Sequence, residues 1–460
     1  MVARFRGIQL DRRDTKNFGG SAPFNGNFAS LLVRVTRSPQ MGHYLDMINN
    51  AKANPTKGTE PNENFARELL QLFSIGTVEL KDDGTPLTDA KGVPVPTYGQ
   101  SEVKAFARVF TGWTYPEFDA AQVKGGSDKR FYAKPMVANE ARHDTGAKTL
   151  LHGTVVPAGQ GTEADLGAAM NNVFVHPNVG PFFAQHMIRQ LVTSNPSPAY
   201  VARVSHVFND DGLGVRGNLG AVVRAILLDP EARIGQFHSP TTFGKLREPL
   251  LRITHLWRAM GATHVCGTTN ATQHYANLYR YAGYTTAYSV GSALYSGVGQ
   301  AALRADTVFN FFKPSYVPSG EMAGLGLVGP EYQITTDTLI SNSTNTLFED
   351  TYDINLDVAG ACGGSDSGYG NVKINRAQDQ ALAGSASGGV ADPADLLVDA
   401  YDVRFMSGQM SPAMRQTLLT ALNPVSAATF DTNKYPNWQF ERISKALQLI
   451  LTSPEYMVQK

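Results

Sequence analysis

The stretch Pro61-Asn62-Glu63-Asn64-Phe65-Ala66-Arg67-Glu68-Leu69-Leu70-Gln71-Leu72-Phe73-Ser74-Ile75-Gly76 decides the fold class. At about 100° per residue, Phe65, Ala66, Leu69, Leu70, Leu72 and Phe73 gather on one side of a helix, and Glu63, Asn64, Arg67, Glu68 and Gln71 share the other. Asn62 suits the cap, Gly76 the stop, and Glu63 with Arg67 makes a favourable pair four residues apart. Phe65, Leu69, Leu72 and Phe73 are therefore expected in a core.

The same period recurs along the chain. Ser101 can cap a helix whose stripe is Val103, Phe106, Ala107 and Phe110 and which ends at Gly112, with Trp113 opening a loop. Pro181 suits a first turn, and Phe183, Met187 and Leu191 then follow at four-residue steps. Further helices are expected over 199–208, 219–228, 243–260, 394–406, 412–422 and 440–451. Asp229-Pro230 should end the helix before it, because proline disfavours helix at its predecessor. The expected fold is mainly α: a multi-helix globular fold with long ordered loops and minor β-hairpins. A turn-rich excursion at 79–99, with Asp82-Asp83-Gly84-Thr85-Pro86, suits a short hairpin, and the glycines of 357–390 suit a flexible insertion.

The 460 residues exceed one ordinary hydrophobic core, so several packed parts are expected. Composition divides them into an N-terminal helical part (1–120), a central helical part (121–262), a loop-rich part (263–390) and a C-terminal helical part (391–460). Lys plus Arg number 40 and Asp plus Glu number 40, so no net field draws the chain to nucleic acid. No stretch approaches the roughly 20 apolar residues of a transmembrane segment. Cys266 and Cys362 allow at most one disulfide. The opening Met1-Val2-Ala3-Arg4-Phe5-Arg6-Gly7 is basic, but Gln9, Asp11, Arg12, Arg13 and Asp14 stand where a signal peptide needs its apolar centre.

Candidate chemistry concentrates in two places. On the polar side of the 62–76 helix, two carboxylates, an arginine and carboxamides can orient a hydroxylated ligand or, if partly buried, hold a carboxyl protonated; a solvated amphipathic helix is the other reading. His143-Asp144 can handle protons, and can ligate a metal only with partners from elsewhere in the chain; a hydrogen-bonded turn is again the alternative. No recognised zinc spacing, nucleophile elbow or phosphate loop occurs, so the sequence names no metal ligand set and leaves any cofactor unknown. Asn310-Phe311-Phe312-Lys313-Pro314-Ser315-Tyr316, with Glu321, Glu331, Tyr332, Gln333 and Asp337, could line a sugar cleft or anchor a loop.

Pro61 to Leu69, Tyr98-Gly99-Gln100-Ser101-Glu102-Val103, Phe110-Thr111-Gly112-Trp113, His143-Asp144-Thr145-Gly146-Ala147-Lys148, His176-Pro177-Asn178, Ser194-Asn195-Pro196-Ser197-Pro198, Lys245-Leu246-Arg247-Glu248-Pro249 and Thr452-Ser453-Pro454-Glu455-Tyr456 follow in one order. In this the chain resembles the bacterial DUF1800 family of unknown function. The resemblance implies an exported protein, periplasmic or extracellular, often encoded beside DUF1501 proteins. It also implies an N-terminal helical region and an export signal, neither of which is expected from the residues ahead of Phe24-Asn25-Gly26-Asn27-Phe28. The family's Pro-Pro-Asn-Val-Gly-Trp-Pro signature is replaced by Val308-Phe309-Asn310-Phe311-Phe312-Lys313-Pro314-Ser315-Tyr316.

The expected function is binding or acting on an extracellular or envelope polysaccharide, with hydrolysis by carboxylate acid/base chemistry as the catalytic form. Glu63, Glu68, His143 and Asp144 are the catalytic candidates. Asn62, Asn64, Arg67, Trp113 and Lys148 are the ligand contacts. The competing class is a non-catalytic binding or assembly protein with a DUF1501-type partner.

Overall fold

Serine or aspartate followed by proline marks where many of this chain's helices begin. In the computed structural model, the residues described are 26–116, 134–264, 298–300, 305, 307–352, 372–384 and 393–460. Ser197, Asp229, Ser411 and Ser453 each accept an amide bond through their side chains, and the proline after each occupies the first helical turn. Proline suits that position because its φ is preset and its missing N–H would have had no helical partner. The described residues are mainly helical, joined to a few two-residue antiparallel pairs. No helix among them is long and apolar enough to cross a membrane.

The chain divides into two compact units, Ala3–Thr241 and Thr242–Lys460, apart from the first two residues. The first unit contains α1 (Phe28–Thr36), α2 (Pro39–Tyr44), α3 (Asn64–Gln71), α4 (Gln100–Val109), α5 (Thr162–Phe174), α6 (Val179–Leu191), α7 (Pro198–Asn209), α8 (Leu219–Leu228) and α9 (Pro230–His238). It also holds the pairs β1 (Trp113–Thr114) with β2 (Val137–Ala138) and β3 (Lys148–Thr149) with β4 (Val155–Val156). Helices α6, α7 and α8 pack in succession, and the rings of Phe28, Phe183 and Phe208 meet at centroid distances of 5.0 to 5.5 Å. Nested bridges Val78↔Pro96, Leu80↔Pro86 and Thr88↔Pro94 give the 79–99 excursion the hairpin character expected of it.

In the second unit, α10 (Pro249–Ala259) and α13 (Asp395–Met406), α14 (Pro412–Leu422) and α15 (Trp438–Leu451) enclose a core of Ile253, Leu256, Leu397, Tyr401, Ile443 and Leu447. The short α11 (Glu321–Gly324) and α16 (Pro454–Met457) and the 16-residue α12 (Asp337–Tyr352) are its other α-helices with both bounds among the described residues. Strand β5 (Lys245–Leu246) pairs with β8 (Val458–Gln459), and β6 (Thr263–His264) with β7 (Val372–Lys373).

Most expected helices lie within two residues of their observed bounds, and 219–228 and 412–422 coincide with them. The expected 243–260 helix instead starts at Pro249, and Lys245–Leu246 is extended. Glu248 precedes that proline and sits at ψ 143°, outside the helical region. Both cysteines, and most of the glycine-rich 357–390 insertion, lie outside the described residues.

Candidate functional site

Helix α3 buries Phe65, Ala66, Leu69 and Leu70, each at most 3% exposed, and Phe65 meets Phe110 edge to face at 5.0 Å. Leu72 and Phe73, expected in the core, are only half-buried. The helix ends at Gln71, so the angular step that aligned them with Phe65 no longer applies. Chain reversal is completed at Gly76, whose φ of +72° suits glycine. At the other end the cap position is Glu63, not Asn62, although the Asn62 carboxamide still accepts the Asn64 amide at 2.8 Å. Asn50 clamps Asn62 by two backbone bonds of 2.9 and 3.2 Å, and Asn64 donates to Asp46 at 3.3 Å.

The polar side is asymmetric. Glu63 Oε2 accepts from Arg67 and from Gln100, both at 2.8 Å, and Gln100 Oε1 accepts from Arg67 at 3.3 Å, closing a half-exposed ring of three side chains. Glu68 was expected on this solvated side but is 8% exposed. Three residues beyond Phe65 places it about 60° round the helix, at the edge of the apolar stripe. Its Oε2 has no hydrogen-bond partner among the described residues. Burial raises the Glu68 carboxyl above its ordinary value, against a smaller lowering by Arg67. Burial also raises the half-buried Tyr98 phenol, which feels the opposing charges of Arg67 and Glu68. The arrangement joins a desolvated acid to a carboxylate held by an arginine and an amide, two environments suited to opposite halves of acid/base chemistry.

His143, Asp144 and Lys148 belong to another set. The His143 ring is fully buried; Nδ1 lies 2.9 Å from Thr111 O and Nε2 3.1 Å from Asp165 Oδ2. Lys148, 1% exposed, donates to Asp144 O, Gly146 O and Asp165 Oδ2, which uses its three N–H groups. Asp144 accepts two bonds of 2.9 Å from Arg108 and one from the Gly146 amide. Burial pushes its carboxyl up, but these bonds and the charges of Arg108 and Lys148 outweigh that, and the net displacement is downward. Gly112, at φ +84°, lets the chain pass this network, since a Cβ there would lie 2.9 Å from that of His143.

Two expected ligand contacts thus face inward. Lys148 is saturated, and Trp113 is fully enclosed, with the Arg37 guanidinium 5.3 Å from its ring centre. Asn62, Asn64, Arg67 and Glu63 remain at the surface or half-buried. Tyr98 and Gln100 were not singled out as site residues because nothing local in sequence marks them; both lie in the quoted Tyr98–Val103 motif. In the second unit, Phe312 is buried and Glu331 pairs with Lys245 at 3.0 Å, so neither presents itself as a free cleft wall. Among the described residues, the group whose donor atoms converge as metal ligands would is Glu79, His152 and His176.

Fold and site together define a mainly helical protein with a partly desolvated acid beside an arginine-held carboxylate. The chain belongs to the DUF1800 family, described as a protein of unknown function, whose family model matches residues 21–458. No curated protein and no solved structure matches the chain.

Proposed function

We propose that the polar side of α3 is a binding and acid/base site for a hydroxyl-rich ligand, an extracellular or envelope polysaccharide in a bacterium. The observation that carries this reading is Glu68: a buried carboxyl, raised by desolvation, with one oxygen unpartnered among the described residues. A carboxyl raised in this way keeps its proton to higher pH than an exposed one, which suits it to act as a proton donor. Arg67, Gln100, Asn62 and Asn64 offer donors and acceptors for hydroxyls along the same side. In glycoside hydrolysis, Glu68 gives its proton to the leaving oxygen as the glycosidic bond breaks, and Glu63 takes the proton of the attacking water. His143, Asp144 and Lys148 act in this reading as the scaffold behind the site, because their polar atoms are spent on one another and on backbone.

The test is Glu68→Gln, which keeps shape while removing the titratable acid. Hydrolysis across a panel of polysaccharides should fall by a factor on the order of 100 or more with the far-ultraviolet circular dichroism unchanged. Equal turnover in variant and wild type ends the assignment of Glu68. Glycan binding without turnover in the wild type, or capture of a DUF1501-type protein in its place, moves the site to the binding or assembly class.

A further inference from the structure

His176 is 2% exposed, and its Nε2 is buried with no hydrogen-bond partner among the described residues. That nitrogen lies 3.7 Å from Glu79 Oε1, and His152 Nε2 lies 3.8 Å from the same oxygen. All three donor atoms fall within 4.8 Å of one another. Two metal bonds of about 2.0–2.1 Å at a tetrahedral angle put their ligand atoms about 3.3 Å apart. The observed spacings therefore need to contract by only a few tenths of an ångström toward Glu79.

The surrounding structure holds these residues from two sides. The Asn178 side chain donates to Ile75 O and Val78 O and accepts from the Leu80 amide, fixing the backbone on both sides of Glu79. Asn172 grips the His152 loop in the same way, donating to Leu151 O and Thr154 Oγ1 and accepting from Leu151 N. His152 itself adopts the left-handed region at φ 54°, and its ring lies against that of His176, tilted by 34° with centroids 4.6 Å apart. Its side chain is 58% exposed, so the group opens to solvent on one side.

We propose that Glu79, His152 and His176 bind a divalent transition-metal ion of the zinc type through one carboxylate oxygen and two imidazole nitrogens, with the remaining position open to water. Two histidines and a carboxylate with an open position are a donor set that zinc accepts in catalytic sites, whereas closed four-ligand sets serve structure. A metal on such a site lowers the pKa of its bound water, so the chemistry it would supply is a nucleophilic hydroxide. One bond must change on binding. The Asn178 amide donates to His176 Nδ1 at 3.1 Å, which leaves the ring proton on Nε2. Metal entry moves that proton to Nδ1 and releases the Asn178 amide. Arg216, which donates to His176 O at 3.0 Å, is the nearby cation that opposes the ion, and Glu79 is the charge that favours it.

The test uses the full chain, stripped with a chelator and titrated with Co²⁺ alone. One equivalent should bind saturably with the visible absorption of a four- or five-coordinate site. His152→Ala and Glu79→Gln should each weaken binding on the order of 100-fold or more, with unchanged circular dichroism. Both residues are at least partly accessible, so neither variant depends on cutting into the core. Long-range ¹⁵N correlation spectra of the histidines under diamagnetic Zn²⁺ should show His176 changing from the Nε2–H to the Nδ1–H tautomer. Absence of saturable binding, wild-type affinity in either variant, or a His176 that keeps its proton on Nε2 at saturation overturns the proposal.

Discussion

The first unit holds two polar sets built from the same chemistry, and they differ in how their charges are met. Around Lys148, the buried ammonium touches Asp165 directly at 2.6 Å, and His143 approaches the same oxygen. Around Glu68, the cation whose charge acts on the carboxyl is Arg67, whose guanidinium bonds instead to Glu63 and Gln100. Neither set is perfectly satisfied, since Asp165 Oδ1 also has no partner among the described residues. In the first set, however, the charge is balanced in contact; in the second it is balanced one side chain away. A buried pair that closes on itself fixes local structure, whereas an acid left over is available to a ligand.

The largest effect that could break this comparison is at Lys148. Lys148→Met leaves Asp165 buried without its cation and should destabilise by about 3–5 kcal/mol in chemical denaturation. The double variant Lys148→Met with Asp165→Leu should recover part of the loss, because no unpaired charge remains. A loss under about 1 kcal/mol in the single variant would show that the network is not the structural brace described. Leu69→Ala, on the buried side of α3, should cost about 2–5 kcal/mol by the same measurement. A change below about 0.5 kcal/mol would remove the anchor that holds the Glu68 side in place.

The smallest effects sharpen the contrast through pH. Glu68 is raised in the folded state, so its favourable contribution is present below the ordinary 4.5 and is lost as pH rises through its folded value. Asp144 is lowered, so its contribution is present above the ordinary 3.8 and is lost as pH falls through its folded value. Glu68→Gln should therefore gain on the wild type in denaturation midpoint as pH rises from about 4 to 7, whereas Asp144→Asn should be weakest near neutrality and approach the wild type in acid. Parallel pH curves for both variants and the wild type would erase the distinction between the two sets.

Much of the helical framework is legible in the sequence because it rests on local physics. Apolar residues at three- and four-residue steps and Gly76 as a stop are visible within a dozen residues of one another, whereas Asp229-Pro230, expected only to end one helix, also caps the next. The same locality explains the misses. Glu248-Pro249 shortened an apolar run that looked continuous, and Leu72 and Phe73 lay just past the helix whose geometry had placed them. Within the candidate site, the sequence marked Glu63, Arg67 and Glu68 as one polar group but could not rank the two acids, because desolvation is a property of what packs around a residue.

By itself, then, the sequence determined a mainly α-helical chain, its family likeness and the amphipathic division of α3, since periodicity and capping act over a few residues. Tertiary structure decided which polar groups were spent and which were left. It brought Asp165 to Lys148 and His143, Gln100 to Arg67, and Glu79 to His152 and His176 across long intervals of chain. Burial and pairing depend on those meetings, and no local pattern encodes them.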